Sequence, residues 1–426
     1  RKMASAPPVA SCLMLLFVHA GAIASAVAKK NVLFLAADDL RIQLGVDRVP
    51  GTHKMVTPNF DSLIGQSLFL RKAQVQQAVC SPTRTSVLTS RYPDTTRVWD
   101  LVSYFRTVGG NYTTIPQLFK EHGYRTVGGG KIFHPGAASG GGTGGSKGDD
   151  QPFSWTDDYF HAPNDNYWSG KVAKPGCDGC GNSWISVAPS AEAAMPLPDT
   201  QIANHAIATL ESFAAEGVGQ NLSHGGQPFF LAVGFHKPHL PFVAPQRFFE
   251  HYPLDEIALP ADQDAPKGMP AVAWSNWGEL RAYLDIAPLG NSGEPGDHLP
   301  PNVTKALRRA YYASVSYTDH NLGRVLSALE QHGHAGNTII SFWGDHGWQL
   351  GEHGEWCKHT NFDLATNAPM FVRIPGVTDG GVVSSTPTEY LDLMPTLAGG
   401  ACRNGRLRGG AARDSQPFRW PPLPPR

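Results

Sequence analysis

Residues 31–39 read NVLFLAADD, an unbroken apolar run that ends in two adjacent carboxylates. A short run rich in Val, Leu and Phe fits a strand buried on both faces, which belongs in a parallel sheet covered by helices rather than in a half-exposed antiparallel one. In open α/β sheets the ligand sits outside the carboxyl ends of the strands, so Asp38 and Asp39 fall where a site is expected. Two adjacent carboxylates repel each other unless a cation lies between them; taken alone, the pair reads equally well as a solvated turn.

Working outward, strands are expected from Pro228 to Phe235, Asn337 to Trp343 and Pro369 to Ile374, separated by helical or irregular stretches. Thr57 followed by Pro58 predicts a capped helix through Phe60, Leu63 and Ile64, and a longer amphipathic helix is predicted from about Lys305 to about Gln331. The fold class is therefore α/β, with a large, mostly parallel central sheet flanked by helices. Residues 136–150, GAASGGGTGGSKGDD, read as a flexible loop or disordered insert without chemistry.

Composition narrows the function. Thirty-five Lys and Arg against 36 Asp and Glu leave a formal net charge of -1, so no global field draws the chain to nucleic acid or to an anionic membrane, and an anionic substrate must meet a local cluster. Arg1 and Lys2, an apolar run from Cys12 to Ala24 and small residues up to Ala28 predict a signal peptide over residues 1–28, the alternative being an N-terminal anchor. A secretory route to the lysosome or the cell exterior follows, and the sequons at Asn111, Asn221 and Asn302 agree with it. In that setting CDGC at 177–180 predicts a local disulfide; a zinc half-site needs a second ligand pair, and none is evident.

Two more stretches carry chemistry. The strand NTIISFW runs into Gly344, Asp345, His346 and Gly347, which offers a third carboxylate if its end lies beside that of Asp38; oxygen-rich ligation favours Ca²⁺ or Mg²⁺. His346 reads as a ligand, a hydrogen-bond donor or a structural histidine. At 80–84 the sequence is CSPTR. A helix begun by Pro82 puts Cys80 at an N-terminal entrance that favours an anion and depresses a thiol pKa, with Arg84 as a fixed cation beside it.

The stretch CSPTRTSVLTSR resembles the sequence in which sulfatases, of the alkaline-phosphatase-like superfamily, have a cysteine converted to formylglycine. RYPDTTR, SYFR, TIPQLFKEHGYRT, GKIFHPG, GFHKPHLPF, WGDHGWQLGEHGEWCKHTNFD, APM and EYLDLMPTLAG follow in order and are similar to the iduronate-2-sulfatase branch, over roughly residues 31–398. The resemblance implies an alkaline-phosphatase-like fold, with a catalytic domain over 29–398. It implies Asp38, Asp39, Asp345, His346 and modified Cys80 around one Ca²⁺, and Arg84, Lys131, His134, His236 and Lys358 around the sulfate. It also implies a formylglycine-generating enzyme as biosynthetic partner and the 2-O-sulfate of iduronate in heparan or dermatan sulfate as target. Another sulfated carbohydrate, or a non-catalytic sulfate-binding homologue, are the competing functions.

The implied chemistry is a double displacement: one hydroxyl of hydrated formylglycine attacks sulfur, His236 or Lys358 protonates the leaving sugar, and His134 helps the second hydroxyl expel sulfate. Two residues depart from the family pattern, Thr83 in place of Ser or Ala and Ser90 in place of Gly. Residues 399–426 form an Arg/Gly/Pro-rich tail where the family continues into a smaller subdomain that shapes the cleft, so a truncated C-terminal part and an exposed sheet edge are expected.

Overall fold

A computed structural model describes residues 29–46, 53–142, 148–164, 168, 172–174 and 177–401. The expected signal segment, and the tail beyond residue 401, lie outside the described residues.

The strand β1 (Asn31–Asp38) is buried along its whole length and is central to a seven-stranded sheet. The other strands are β2 (Leu68–Leu70), β3 (Arg125–Gly130), β4 (Phe229–Pro238), β5 (Thr338–Gly344), β6 (Met370–Arg373) and β7 (Val382–Ser384). They lie in the order β7-β2-β6-β5-β1-β4-β3. Strands β3, β4, β1 and β5 run parallel, whereas β6 is antiparallel to both β5 and β2. Thus the fourth expected strand forms, but in the opposite sense to the three before it.

The apolar run in β1 is continuous because both faces are covered. Leu33, Leu35 and Ala37 join a core with Ile202, Ala206, Leu210 and Phe213 of one helix (Pro198–Glu216) and Leu307, Tyr311, Val315 and Leu322 of another (Pro301–Gln331). Val32, Phe34 and Ala36 point the other way, into a second core with Val87, Leu88, Phe119 and Leu397. Successive side chains of a strand alternate between faces, so two cores require apolar residues at every position. Each fully buried Leu or Phe contributes on the order of 1.5–3 kcal/mol. The long helix begins at Pro301, one turn before the expected Lys305, because the ring of Pro301 fits its first turn.

Thr57 does precede a helix, Pro58–Ile64, but its hydroxyl does not cap it. That hydroxyl donates to Asp61 at 3.1 Å and accepts from Gly45 at 2.8 Å. The free N–H groups are met instead from the long helix, where Asp319 accepts from Phe60 N at 2.7 Å, Asn59 N at 3.3 Å and Asn59 Nδ2 at 2.7 Å. A tertiary cap of this kind leaves no local sequence signal.

The Gly-rich insert also departs from expectation at its end. Asp149 and Asp150 are buried; Asp150 pairs with Arg106 at 2.6 Å and Asp149 with His161 at 2.7 Å. Two charges anchor the stretch, so it is not a free linker throughout, while residues 143–147 lie outside the described residues. Cys177 and Cys180 form the expected disulfide, with Cα atoms 5.5 Å apart. Asn111, Asn221 and Asn302 are all exposed. Among the described residues no helix is long and apolar enough to cross a membrane.

Burial pushes the Asp319 carboxyl up to about 6 against the opposing hydrogen bonds from Phe60 and Asn59. A carboxyl held above its ordinary 3.8 binds its proton more readily in the folded chain, so its contribution to stability is full below pH ~4 and is lost as pH rises through about 6. Asp319→Ala, which strips the cap, should lower stability by about 1–2 kcal/mol in urea unfolding. Asp319→Asn should flatten the pH dependence of the unfolding midpoint between pH ~4 and ~6; an unchanged slope would show that Asp319 is not its source.

Candidate active site at the strand ends

Asp38 is the last residue of β1, and Asp345 follows directly on β5. The two strands are neighbours in register, Ala37 opposite Gly344, so residues more than three hundred positions apart finish side by side. The junction is closed by backbone and side chain together: Asp345 N donates to Ala37 O at 3.2 Å, and Asp39 N to Asp345 Oδ1 at 2.9 Å. Asp39 adopts the left-handed conformation, φ 59°, which an Asp tolerates better than most residues. Tyr311 holds it there, its hydroxyl donating to Asp39 O at 2.8 Å and accepting from Arg41 N at 2.9 Å.

Cys80 is the first residue of a helix, Cys80–Thr89, that is buried throughout. Arg84 lies one turn on, on the same face. Its guanidinium reaches Asp345 Oδ2 at 3.0 Å, Asp38 Oδ1 at 3.1 Å, Ile132 O at 3.1 Å and the carbonyl of Lys131. The helix ends at Ser90 in the left-handed conformation, φ 54°, where a glycine is the easier residue; Ser90 adds a hydroxyl bond to Leu391 O at 2.6 Å. Thr83 donates its hydroxyl to Gln77 O.

Lys131 follows β3 and is placed by Gly234. Its N–H donates to Gly234 O at 2.8 Å, and a Cβ on Gly234 would lie 2.3 Å from Lys131 O, so only glycine permits this approach. Lys131 Nζ pairs with Asp38 and stands 3.8 Å from Cys80 Sγ. Lys358 Nζ lies 2.8 Å from Asp39 Oδ1 and 3.5 Å from Cys80 Sγ. Both residues flanking Lys358 are left-handed, Cys357 at φ 70° and His359 at φ 72°. Strained backbone of this sort is kept where the surroundings over-determine it, and it turns the lysine inward. His346 Nε2 is 3.4 Å from the same sulfur.

Eight of the ten sequence-derived residues thus share one buried cluster: Asp38, Asp39, Cys80, Arg84, Lys131, Asp345, His346 and Lys358. His134 and His236 stand at its margin. His134 Nδ1 is buried without a hydrogen-bond partner, and burial with the charge of Lys131 pushes this imidazole down to about 3, so it is neutral. His236 lines a cavity of about 320 Å³ together with Asp38, Lys131, His239 and Glu279, and its N–H donates to Asp199 Oδ1 at 2.8 Å.

Two members escaped the sequence reading. His239 Nε2 approaches Asp39 Oδ2 at 3.8 Å and Glu279 Oε1 at 3.5 Å; Glu279 Oε1 is also 3.1 Å from Lys358 Nζ. His239 lies in the quoted GFHKPHLPF run, but no role for it is read from the sequence. Glu279 comes from an irregular loop with no strand end beside it, and nothing in its neighbourhood signals it.

The electrostatics fit a cation. Single donor atoms of Asp38, Cys80, Asp345 and His346 lie within 4.8 Å of one another, as do those of Asp38, Asp39, Cys80 and His239. Burial opposes ionisation of Asp38, but Lys131 and its neighbours hold it well below the ordinary carboxylate range. Asp39 is the reverse: burial and the charge of Asp38 raise it, and its Oδ2 is buried with no hydrogen bond. An under-neutralised carboxylate beside that of Asp38 is a place for a positive ion. The thiol of Cys80 corrects an expectation: burial pushes it up, and Lys131 and Lys358 offset this only in part, so the unmodified cysteine is not an activated thiolate.

The sulfatase family profile matches residues 30–401. The chain is 40% identical over 402 residues to iduronate 2-sulfatase of Mus musculus, covering 88% of this chain and 69% of that protein. To iduronate 2-sulfatase of Homo sapiens it is 43% identical over 374 residues, covering 86% and 62%. Among solved structures it resembles a protein in complex with its substrate D-glucosamine-2-N,6-O-disulfate, with TM-score 0.63, 20% identity and coverage of 88% and 76%. The fold is the one expected, and the chain belongs to the sulfatase family.

Proposed function

We propose that the chain is a sulfuric ester hydrolase acting on sulfated glycosaminoglycan, with the 2-O-sulfate of iduronate as its target. The observation that carries the reading is the surroundings of Cys80 Sγ: Lys131, Lys358 and His346 at 3.8, 3.5 and 3.4 Å, backed by three carboxylates with one unsatisfied oxygen. Formylglycine at position 80, made by a formylglycine-generating enzyme, would supply as its hydrate a hydroxyl nucleophile, and Asp38, Asp39, Asp345 and His346 would hold a Ca²⁺ ion that would supply a Lewis acid.

The chain's own residues divide the remaining work. Lys131 and Lys358, both buried, set their ammonium groups against the non-bridging oxygens of the sulfate, where a dry site makes each charge count for more than it would in water. Arg84 spends its donors on carboxylates and carbonyls, so it holds Asp38 and Asp345 in place rather than touching sulfate. Lys358 is a poor acid: burial works against its charge, but Asp39 and its neighbours hold the proton well above the ordinary lysine range. His236 in the cavity wall is the better donor to the leaving sugar oxygen. His134, neutral and with Nδ1 unpartnered, stands at the margin of the site as a hydrogen-bonding group, but burial and the charge of Lys131 leave it a weak base. The product leaves by the same cavity, and the route to substrate is lysosomal or extracellular.

Mass spectrometry of the peptide containing position 80, from protein made alongside the modifying enzyme, should show the aldehyde or its hydrate. A wholly unmodified thiol in protein that still releases sulfate would contradict the proposed nucleophile. Cys80→Ala should abolish turnover in either case.

Asp39→Asn should weaken Ca²⁺ binding in calorimetry by at least about tenfold and lower kcat/KM by about 10²–10³-fold, since it removes a ligand and a charge from the reacting centre. Retention of full Ca²⁺ affinity would remove Asp39 from the site. Sulfate release from a 2-sulfated iduronate disaccharide should exceed that from 6-sulfated glucosamine by kcat/KM; the opposite preference would keep the sulfatase reading and replace its sugar.

A further inference from the structure

Among the described residues around Lys358, Glu279 is a carboxylate that does not come from the strand ends, and a buried loop fixes its position. It lies on an irregular loop whose Trp277, Leu280, Tyr283 and Ile286 are all buried. That loop is fastened to the loop that carries Lys358: Trp277 Nε1 donates to Gly354 O at 3.0 Å, and Ser275 N to Glu355 Oε1 at 3.1 Å. At the end of this scaffold a single oxygen, Glu279 Oε1, lies 3.1 Å from Lys358 Nζ and 3.5 Å from His239 Nε2. Burial opposes its charge, but Lys358 and His239 hold Glu279 well below the ordinary range, so it stays ionised.

An ammonium group has three protons to place. For Lys358 one is directed to Asp39 at 2.8 Å and one to Glu279 at 3.1 Å, which leaves the third for the side chain at position 80, at 3.5 Å. A flexible four-carbon side chain held at one point sweeps a cone; held at two, it has one orientation. The second anchor has a cost, because a negative charge in a cavity built for an anion weakens anion binding. A group that repels the substrate and is nevertheless held there by a buried loop needs a compensating role.

We propose that Glu279 is a positioning residue that aims Lys358 at the reacting sulfate, at some expense in ground-state affinity for the anion. The inference rests on the sulfatase reading given above. It separates kcat from binding: removing the charge should slow the chemical step while tightening the hold on sulfate, whereas a purely structural role for Glu279 would weaken both.

The test uses the full chain carrying the modification at position 80, with Glu279→Gln and Glu279→Asp as variants, a sulfate ester as substrate and inorganic sulfate as competitive inhibitor. For Glu279→Gln, kcat should fall about tenfold or more while the sulfate inhibition constant falls about threefold or more. Glu279→Asp, which keeps the charge, should recover a substantial part of kcat and return sulfate affinity toward wild type. Unchanged kcat in Glu279→Gln, or a parallel loss of kcat and of sulfate affinity, would overturn the positioning role and leave the sulfatase reading intact. A modified wild-type chain that hydrolyses no sulfate ester would overturn that reading, and this inference with it.

Discussion

The arrangement depends on a buried guanidinium. Arg84, from the helix that begins at Cys80, reaches Asp38 at the end of one strand and Asp345 at the end of the next, with all three side chains at most 1% exposed. Removing the cation from such a cluster leaves uncompensated buried charge, at a cost of about 3–5 kcal/mol. In place, it sets the distance between two strand ends and the helix that presents position 80. Lys131 reaches into the same cluster because Arg84 also takes its carbonyl. The site is therefore a property of the sheet, and its charges are held before any ligand arrives.

That dependence explains what the sequence disclosed. NVLFLAADD announces a doubly buried strand and the carboxylates at its end, because apolar continuity and the position of sites in α/β sheets are local facts. NTIISFWGDHG announces the same thing a second time. That the two strands are adjacent is not local; it became legible through the ordered run of motifs similar to sulfatases, and the register of Ala37 with Gly344 bears it out. Lys131, His134, His236 and Lys358 are unremarkable singly and were found through the same motifs.

The failures share a cause. The cap on the helix at Pro58 comes from Asp319, some 260 positions away, and no local pattern around Thr57 distinguishes a cap made by its own hydroxyl from one made by a distant carboxylate. Glu279 is likewise presented by a loop whose course is set by Trp277 against Gly354. A helix entrance lowers a thiol pKa, but at Cys80 burial outweighs the neighbouring cations. The antiparallel sense of Met370–Arg373 follows from the long connection over residues 345–369, which brings the chain back at the same end of the sheet where β5 leaves it, Met370 opposite Trp343; no apolar run encodes that return.

The proposed reaction requires that one anion be received between Lys131, Lys358 and the side chain at position 80, with a divalent cation on the far side. The most direct measurement is a crystal structure of the modified chain grown with Ca²⁺ and selenate, a sulfate analogue that anomalous scattering locates without ambiguity. Selenium is expected within ~4 Å of both ammonium groups and Ca²⁺ at ~2.3–2.6 Å from oxygens of Asp38, Asp39 and Asp345. Selenate ordered elsewhere on the surface while this cavity holds only water would contradict it.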